Sequence, residues 1–347
     1  MRIEGGVSKC LPAGATLSIA GPTGDWRPAP SGDNLGAMLR AMSLLVALLM
    51  AVGGCAPPTP VSAQHEAQVD SVRLMRDLSV LAHDSMAGRA TGSPGAERAR
   101  AFLTSSLREA GVAPVGDDFA RAFRWPRGTG ENLVAIVPGR ELAGHDMIFI
   151  TAHYDHLGIR DGEVFNGADD NASGTAVLLE VARQLRGEPL RHTAVIVFFD
   201  AEEAGLQGSR ALVLDPPVSL DSVALEVNLD MVARTGGVLW AAGAYHTPAL
   251  EPVLLELAAS APLDLRLGHD RPGSPEDDWT DSSDHAAFHH VGIPFVYFGV
   301  EDHPDYHRES DELDRIDAGE LMASARTILA GIRLLDAALP LDGAVPR

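Results

Sequence analysis

The sequence predicts an α/β domain of three layers, an α/β/α sandwich in which helices cover both faces of a mixed, mostly parallel central sheet. Short apolar runs rich in branched and aromatic residues occur at 147–150 and 194–199, and such runs are typical of buried strands. Segments with helical apolar spacing alternate with these runs, and there is little hairpin chemistry between them. This alternation favours parallel pairing with helices packed on both sides of the sheet.

The same patterns predict the elements in order. Apolar spacing predicts helices over 66–81 and 93–111, joined by a loop at 84–95. Later strands are expected at 131–137, 147–152, 194–199, 223–229, 238–242 and 293–298, and helices at 175–185, 205–214, 248–260, 283–290 and 318–335. The polar, proline-containing stretch 264–284 is expected to be a long loop over a site.

Composition excludes several classes of protein. The chain has 347 residues, of which 46% are apolar, enough for a sizeable core. Its formal charge of -21, without a Lys or Arg cluster, argues against nucleic acid as a partner. We expect no disulfide between its two cysteines, Cys10 and Cys55. The oligomeric state stays open.

The segment 38–55 has the features of an export signal. Arg40 precedes an apolar run at 44–52 that is too short to span a bilayer. The run ends in Val-Gly-Gly-Cys55, which resembles the lipobox of bacterial lipoproteins. We therefore expect a lipid on Cys55 as the only membrane contact, and a place on the periplasmic side of the cell envelope. An ordinary signal peptide, cut a few residues later, is the alternative.

This interpretation divides the chain. A signal leads its protein, so residues 1–37 are expected to lie upstream of the true start, at Met38 or Met42. Residues 56–66 would form a Pro-rich tether, followed by a single folded domain at 67–340.

Metal-capable side chains follow the predicted strands. His153 and Asp155 come after the strand at 147–152. Side chains two residues apart on a strand point the same way, so the carboxylate can orient the imidazole while its other nitrogen faces a metal. A histidine in such a position is more often packed or exposed, so the pair alone leaves both interpretations open.

Two acidic groups strengthen the metal interpretation. Glu202 and Glu203 follow a very apolar strand, and adjacent side chains point apart, which permits one metal ligand and one free base. Asp169-Asp170-Asn171 forms a turn before a helix, for which an ordinary helix cap is the alternative. The spacing of nearby acids does not match the twelve-residue calcium loop.

The sequence contains no His-Glu-x-x-His, Gly-x-Ser-x-Gly or Gly-x-x-x-x-Gly-Lys motif. The metal-capable groups instead form one ordered set, completed by Asn228-Leu-Asp230-Met and Tyr306-His307-Arg-Glu-Ser-Asp311. With Gly88-Arg-Ala-Thr-Gly-Ser93, Gly167-Ala-Asp-Asp-Asn-Ala-Ser-Gly174 and Ser283-Asp-His-Ala-Ala-Phe288, this set resembles the co-catalytic zinc exopeptidase family of bacterial aminopeptidases, glutamate carboxypeptidases and glutaminyl cyclases. The resemblance covers 78–335 and implies one zinc peptidase catalytic domain at 67–340.

The resemblance also implies a site with two Zn²⁺ per chain. It pairs His153 with Asp230 on one zinc and Glu203 with His307 on the other, with Asp170 bridging them. In relatives the bond after the bridging Asp is cis, so a cis peptide is expected at Asp170–Asn171. Carboxylates and imidazoles suit zinc, although cobalt or manganese stay open. A two-metal site can hold a shared hydroxide and polarise the scissile carbonyl.

Catalytic roles follow from the same resemblance. Glu202 would take a proton from the bridging water and deliver it to the leaving amine. Asp155 would orient His153, and Tyr306 would hydrogen-bond the oxyanion. We expect His156 and His303 at surface or loop positions without a ligand role. His285 could line the substrate pocket or be structural, and Asp284 could lie behind the ligands. Four further histidines are expected to be structural: His246, His269, His289 and His290.

The resemblance favours an aminopeptidase acting on peptides, because only nine residues separate the strands at 131–137 and 147–152 and leave no room for an inserted domain. A carboxypeptidase or dipeptidase is the alternative, with Arg234 or Arg271 meeting a substrate carboxylate. Glutaminyl cyclisation is less favoured, because those relatives keep one zinc whereas both ligand histidines are present here. A non-catalytic binding protein is the remaining alternative.

Overall fold

The computed structural model describes residues 69–141, 146–274 and 277–341. The expected signal, the tether and both cysteines lie outside these described residues. Within the described ranges, no helix combines the length and the apolar character needed to cross a bilayer.

Helices and strands alternate along most of the described chain. The helices are α1 (Ser71–Leu81), α2 (Pro94–Glu109), α3 (Gly174–Gly187), α4 (Gln207–Leu214), α5 (Glu251–Ser260), α6 (His285–His289) and α7 (Ala318–Ala338). The strands are β1 (Ala113–Pro114), β2 (Ala120–Trp125), β3 (Gly128–Val137), β4 (Met147–His153), β5 (Gly158–Arg160), β6 (Glu163–Phe165), β7 (Thr193–Phe199), β8 (Val223–Leu229), β9 (Val238–Ala242), β10 (Asp264–Leu267) and β11 (Phe295–Gly299). Short 3₁₀ turns lie at Asp84–Arg89, Leu220–Ser222, Pro248–Leu250 and Leu313–Arg315.

One mixed sheet runs through the domain in the order β1-β3-β7-β4-β8-β11-β9-β10, with β2 paired to β3. The central neighbours β7, β4, β8 and β11 are parallel. Strands β3 and β9 flank this centre in the antiparallel direction. The predicted mixed sheet is therefore confirmed, with its parallel pairing concentrated in the centre.

Side chains of β4 show how the layers form. Ile148, Ile150 and Ala152 join a large apolar cluster with α1, α2, α3, α5 and α7. Phe149 points the other way, into a smaller cluster that includes Leu212 of α4 and Phe288 of α6. Because successive side chains of a strand point to opposite faces, helices cover both sides of the sheet. The three-layer class is confirmed.

Some elements differ from the sequence prediction. Strand β10 occupies the beginning of the predicted loop 264–284, and β2, β5 and β6 were not predicted. Strands β2 and β10 lie at the margins of the sheet, and β5 and β6 form a separate two-stranded hairpin. Such strands bury few side chains, so their apolar pattern is weak. Helix α1 begins at Ser71 rather than 66 because the Asp70 carboxylate caps the N–H of Arg73.

The topology places the chemistry at one edge of the sheet. His153 ends β4, Glu202 and Glu203 follow β7, and Asp230 follows β8. Because β7, β4 and β8 are parallel neighbours, their carboxyl ends meet at the same edge, where open α/β sheets place their sites.

Candidate metal centre

His153 faces two carboxylates from the end of β4. Its Nε2 lies 3.1 Å from Asp230 Oδ1 and 3.5 Å from Asp170 Oδ1. Its Nδ1 lies 3.1 Å from the backbone carbonyl of Asp155 and 3.7 Å from that residue's carboxylate. The ring therefore donates from Nδ1 to the carbonyl, which leaves Nε2 for a metal. The backbone of Asp155, rather than its side chain, makes the closer contact to the ring.

The Asp155 carboxylate has a different contact. Its Oδ1 accepts a hydrogen bond from the Glu202 N–H at 3.1 Å. Asp155 thus links the end of β4 to the segment after β7 and fixes the backbone from which the Glu202 carboxylate projects.

The turn at 168–173 separates two adjacent acids. Asp169 Oδ1 accepts hydrogen bonds from the Ser173 hydroxyl and the Ala233 N–H, which makes Asp169 part of the scaffold. The peptide between Asp170 and Asn171 is cis, as the resemblance implied. Asp311 accepts hydrogen bonds from the N–H groups of Asp169 and Asp170. The Asp170 side chain, not that of Asp169, is therefore presented to the two histidines of the site.

The second half of the site is built around Glu203. His307 Nε2 lies 3.1 Å from Asp170 Oδ2 and 3.2 Å from Glu203 Oε2. Burial lowers the pKa of His307, but its contacts with the two carboxylates outweigh burial and raise the pKa to about 10. Burial raises the pKa of Glu203, whereas the His156 and His307 imidazoles hold it well below its ordinary value. The two carboxylates therefore favour a protonated, positively charged imidazole. A metal ion would compete with the imidazole proton for the same nitrogen atom.

His156 lies in the loop after β4, which is one of the two expected positions, but it is buried rather than at the surface. The residue is 2% exposed, and its Nδ1 lies 2.7 Å from Glu203 Oε1 and 3.6 Å from Asp170 Oδ2. Family patterns gave this histidine no role. Its inward direction depends on Glu203 and Asp170, which come from other elements of the fold.

Arg89, which the sequence analysis did not single out, holds the backbone on both sides of His156. This fully buried guanidinium donates to the carbonyls of Tyr154 at 2.8 Å, Asn166 at 2.6 Å and Gly167 at 3.0 Å. Burial lowers the pKa of Arg89 to about 10, which still leaves it charged at neutral pH. The motif Gly88-Arg-Ala-Thr-Gly-Ser93 contained the only sequence signal for this residue.

The donor set fits two zinc ions. Ligand atoms of His153, Asp170 and Asp230 lie within 4.8 Å of one another, as do those of His156, Asp170 and Glu203. Two ligands of a tetrahedral zinc are expected to lie about 3.4 Å apart, given metal–ligand bonds of about 2.1 Å. The separations between His153 and its two carboxylates, 3.1 and 3.5 Å, match this value. Asp170, which faces both groups, is placed to bridge them.

Two further side chains have properties suited to catalysis. Burial raises the pKa of the Glu202 carboxyl well above its ordinary value, and the charges of Asp230 and Asp284 raise it further against the opposing effect of His153. The Tyr306 ring stacks on His307 with 4.0 Å between centroids. Burial raises the pKa of the Tyr306 hydroxyl, so this group stays protonated and can donate a hydrogen bond.

These groups open onto a cleft of about 370 Å³. Its other lining residues include Leu206, Arg210, Met231, Asp281 and Ser282. Of the described residues in the stretch 264–284, only Asp281 and Ser282 line the cleft, so most of this stretch does not cover it. In the described chain, the cleft lining includes neither Arg234, which pairs with Asp305, nor Arg271, which lines a separate pocket.

The remaining histidines support the structure. His285 is fully buried, and its ring nitrogen Nε2 donates to the Trp279 carbonyl at 2.9 Å, so it is not a cleft residue. His269 stacks on Trp279 at 3.6 Å. His303 lies in a loop, one of the two expected positions, and its Nε2 lies 3.3 Å from the buried Asp169 carboxylate. His246 contacts Thr280, the half-exposed His289 packs on His246, and the exposed His290 pairs with Asp281.

Asp284 is fully buried, and its charge raises the pKa of Glu202. Burial raises the pKa of Asp284 to about 7. Its position is consistent with the expected place behind the ligands.

Comparisons with known proteins agree with this geometry. The model of "Peptidase family M28" matches residues 132–332. Aminopeptidase YwaD of Bacillus subtilis (strain 168) is 29% identical over 213 residues, which are 59% of this chain and 44% of that relative. The chain thus spans less than half of the relative's length.

Solved structures show the same fold. A zinc aminopeptidase from Bacillus subtilis has a TM-score of 0.62 and 18% identity, covering 77% of this chain and 95% of that one. A glutaminyl cyclase from Porphyromonas gingivalis has a TM-score of 0.64 and 23% identity, covering 78% of this chain and 99% of that one. The family match includes both ligand groups and more than half of the residues. The chain therefore belongs to peptidase family M28.

Proposed function

We propose that this chain is a zinc-dependent aminopeptidase that releases N-terminal residues from peptides and binds two zinc ions. One observation carries the proposal: two groups of buried metal ligands share Asp170 and open, together with the Glu202 carboxylate, onto a single cleft. The printed name of the Bacillus subtilis relative, an aminopeptidase, supports the choice within the family.

The ligands divide between two positions. His153 and Asp230 would hold one zinc, Glu203 and His307 the other, and Asp170 would contact both. Zinc bound there would supply Lewis acidity, polarising the scissile carbonyl and lowering the pKa of water.

The remaining steps belong to the protein. Glu202 would accept a proton from the attacking water and return it to the leaving nitrogen, and its raised pKa suits both directions of transfer. Asp155 would hold the Glu202 backbone in place through the hydrogen bond to its N–H. The protonated Tyr306 hydroxyl would donate to the carbonyl oxygen as negative charge develops.

An acidic cleft suits a free α-amine. Asp281 at the rim adds a carboxylate to those of Glu202 and Glu203 deeper in the cleft. A protonated amine would be attracted to this group, whereas a blocked terminus carries no charge.

A specific observation favours a second candidate, a carboxypeptidase or dipeptidase. Arg210 lines the same cleft. Within the described part of the chain, its guanidinium makes no ion pair. It could therefore form a bidentate contact with the free carboxylate of a substrate.

Glu202→Gln tests the proposed mechanism. The amide cannot accept a proton, so kcat should fall by about 10²- to 10⁴-fold, while zinc content measured by elemental analysis stays at the wild-type value. Glu256→Gln, the same change at an exposed residue of α5 that does not line the cleft, should leave both unchanged. Wild-type turnover by Glu202→Gln with normal zinc content would remove Glu202 from the proposed role.

We further propose that the chain is exported and anchored to the periplasmic side of the envelope through a lipid on Cys55. The support is the Arg40 charge, the apolar run 44–52 and the lipobox-like Val-Gly-Gly-Cys55.

A further inference from the structure

Three buried polar atoms meet in the second half of the site with no hydrogen-bond partner among the described residues. They are Nδ1 of His156, Oδ2 of Asp170 and Oε1 of Glu203. Leaving a buried polar atom unpaired costs about 1 to 3 kcal/mol, so such atoms are rare in folded proteins and call for a ligand or ion. Their convergence indicates that a bound group completes them.

An ion pair between His156 and Glu203 does not account for all three atoms. Nδ1 lies 2.7 Å from Glu203 Oε1, but the contact lacks hydrogen-bond geometry. Asp170 Oδ2 lies 3.6 Å from the same nitrogen. One proton on Nδ1 can be donated to only one of these oxygens, whereas a cation between the three side chains contacts all of them.

The fold makes room for this imidazole. Gly167, with φ +54°, lies against the ring, and a Cβ at this position would overlap both the His156 ring and the Asp170 carbonyl. Arg89 holds the carbonyls of Tyr154 and Gly167 on either side. The ring is therefore held in a defined position rather than left free to turn toward solvent.

His307 approaches the same two carboxylates. Its Nε2 contacts Asp170 Oδ2 at 3.1 Å and the other Glu203 oxygen, Oε2, at 3.2 Å. The two imidazole centroids are 6.0 Å apart. Four distances join the His156 and His307 nitrogens to the Asp170 and Glu203 oxygens. Three of them, 3.1, 3.2 and 3.6 Å, are close to the value of about 3.4 Å expected between two ligands of one zinc.

We propose that His156 is an additional protein ligand of the second metal, beside Asp170, Glu203 and His307. The chain would then bind two zinc ions with three imidazoles instead of two. This inference rests on the proposed two-zinc centre. The second position has one more imidazole than the first and should hold its ion more tightly.

Zinc-edge X-ray absorption on the zinc-loaded full chain counts the imidazoles directly. We expect three imidazoles for two zinc ions in the wild type and two in His156→Ala. Chelator competition should show at least about 10- to 100-fold weaker binding of one zinc in the variant. His156→Asn, which keeps a polar side chain, repeats the test if the alanine variant folds poorly by circular dichroism.

His303→Ala is the matched control, because His303 also faces a buried carboxylate, Asp169, but lies outside both ligand groups. It should keep the wild-type imidazole count and affinity. Two imidazoles in the zinc-loaded wild type would overturn the inference and leave the two-zinc proposal standing, even if the His156 variants bind zinc more weakly. A wild-type chain that binds no zinc would overturn both.

Discussion

At the scale of single residues, burial sets the charge of His285. Its Nε2 donates to the Trp279 carbonyl, and its Nδ1 lies 3.5 Å from the Asn228 amide nitrogen. Burial lowers the pKa of His285 to about 4. The imidazole is therefore neutral at neutral pH, with one nitrogen donating and the other available as an acceptor.

This shift predicts a specific loss of stability in acid. An unfolded histidine has a pKa of about 6.5, so as pH falls the unfolded chain takes up a proton before the folded one does. The contribution of His285 is fully present above about pH 6.5 and is lost as pH falls toward 4, by at most about 3 kcal/mol. His285→Asn cannot titrate, so its free energy of unfolding should fall less between these pH values.

Urea unfolding of chelator-treated wild type and variant, at pH 7 and at pH 4.5, measures this difference. Chelation removes metal release as a second source of pH dependence. The quantity compared is the loss of unfolding free energy between pH 7 and pH 4.5 in each protein, because the substitution also changes stability at both pH values. Equal losses in the two proteins would contradict a neutral, buried His285.

Sequence patterns could predict the residues that carry family motifs. The structure places His153 and His307 within 3.5 Å of Asp170, and His307 within 3.2 Å of Glu203, while their roles as ligands stay predictions. Sequence patterns could not predict His156 or Arg89. A loop histidine turns inward or outward according to contacts with distant segments, here Glu203 and the Gly167 turn. A buried arginine that donates only to carbonyls has no charged partner in the sequence to reveal it.

At the scale of elements, the turn before α3 carries Asp170, the proposed bridging ligand, and depends on Gly167. This residue has φ +54°, and a Cβ there would meet the His156 ring and the Asp170 carbonyl. Both the left-handed backbone and the close packing therefore require glycine.

Gly167→Ala should destabilise the domain by about 2 kcal/mol or more and weaken zinc binding, because the turn must move. Gly162→Ala is a matched control. Its φ is +90°, but no described atom lies within 4 Å of the added Cβ. Denaturant unfolding should therefore show the larger loss of stability for Gly167→Ala. Zinc titration should show weaker binding for Gly167→Ala alone. Equal effects would mean that backbone conformation alone matters.

The strand predictions are confirmed where both faces of the strand are buried. Strands β4, β7 and β8 have neighbours on both edges and helices on both faces, so their sequences are continuously apolar. Strand β2 pairs only with β3 and exposes Arg121 and Arg124. Its sequence therefore lacks the apolar run from which a strand could be predicted.

At the scale of the whole molecule, the parallel centre of the sheet explains why residues far apart in sequence form one site. The proposed ligands come from the ends of β4, β7 and β8, from the turn before α3 and from the segment after β11. The order of strands could not be read from the chain, because it depends on crossover connections.

Anchoring predicts a property of the full-length chain in a bacterial host. Cys55→Ala should abolish incorporation of labelled fatty acid and release the protein from the membrane fraction, since a lipobox cysteine is the acylated residue. Thr59→Ala, a change in the expected tether, should leave label and fractionation unchanged. Label retained by Cys55→Ala would contradict the proposed anchor.

The central claim is tested most directly by one combined measurement on the purified chain: zinc content by elemental analysis, with hydrolysis of amino-free and amino-blocked peptides before and after chelation. We expect two zinc ions per chain and release of N-terminal residues from amino-free peptides alone. Chelation should abolish this activity, and added zinc should restore it. Hydrolysis confined to blocked peptides with a free carboxylate would move the assignment to the carboxypeptidase that Arg210 favours. No zinc and no hydrolysis of either panel would contradict the account.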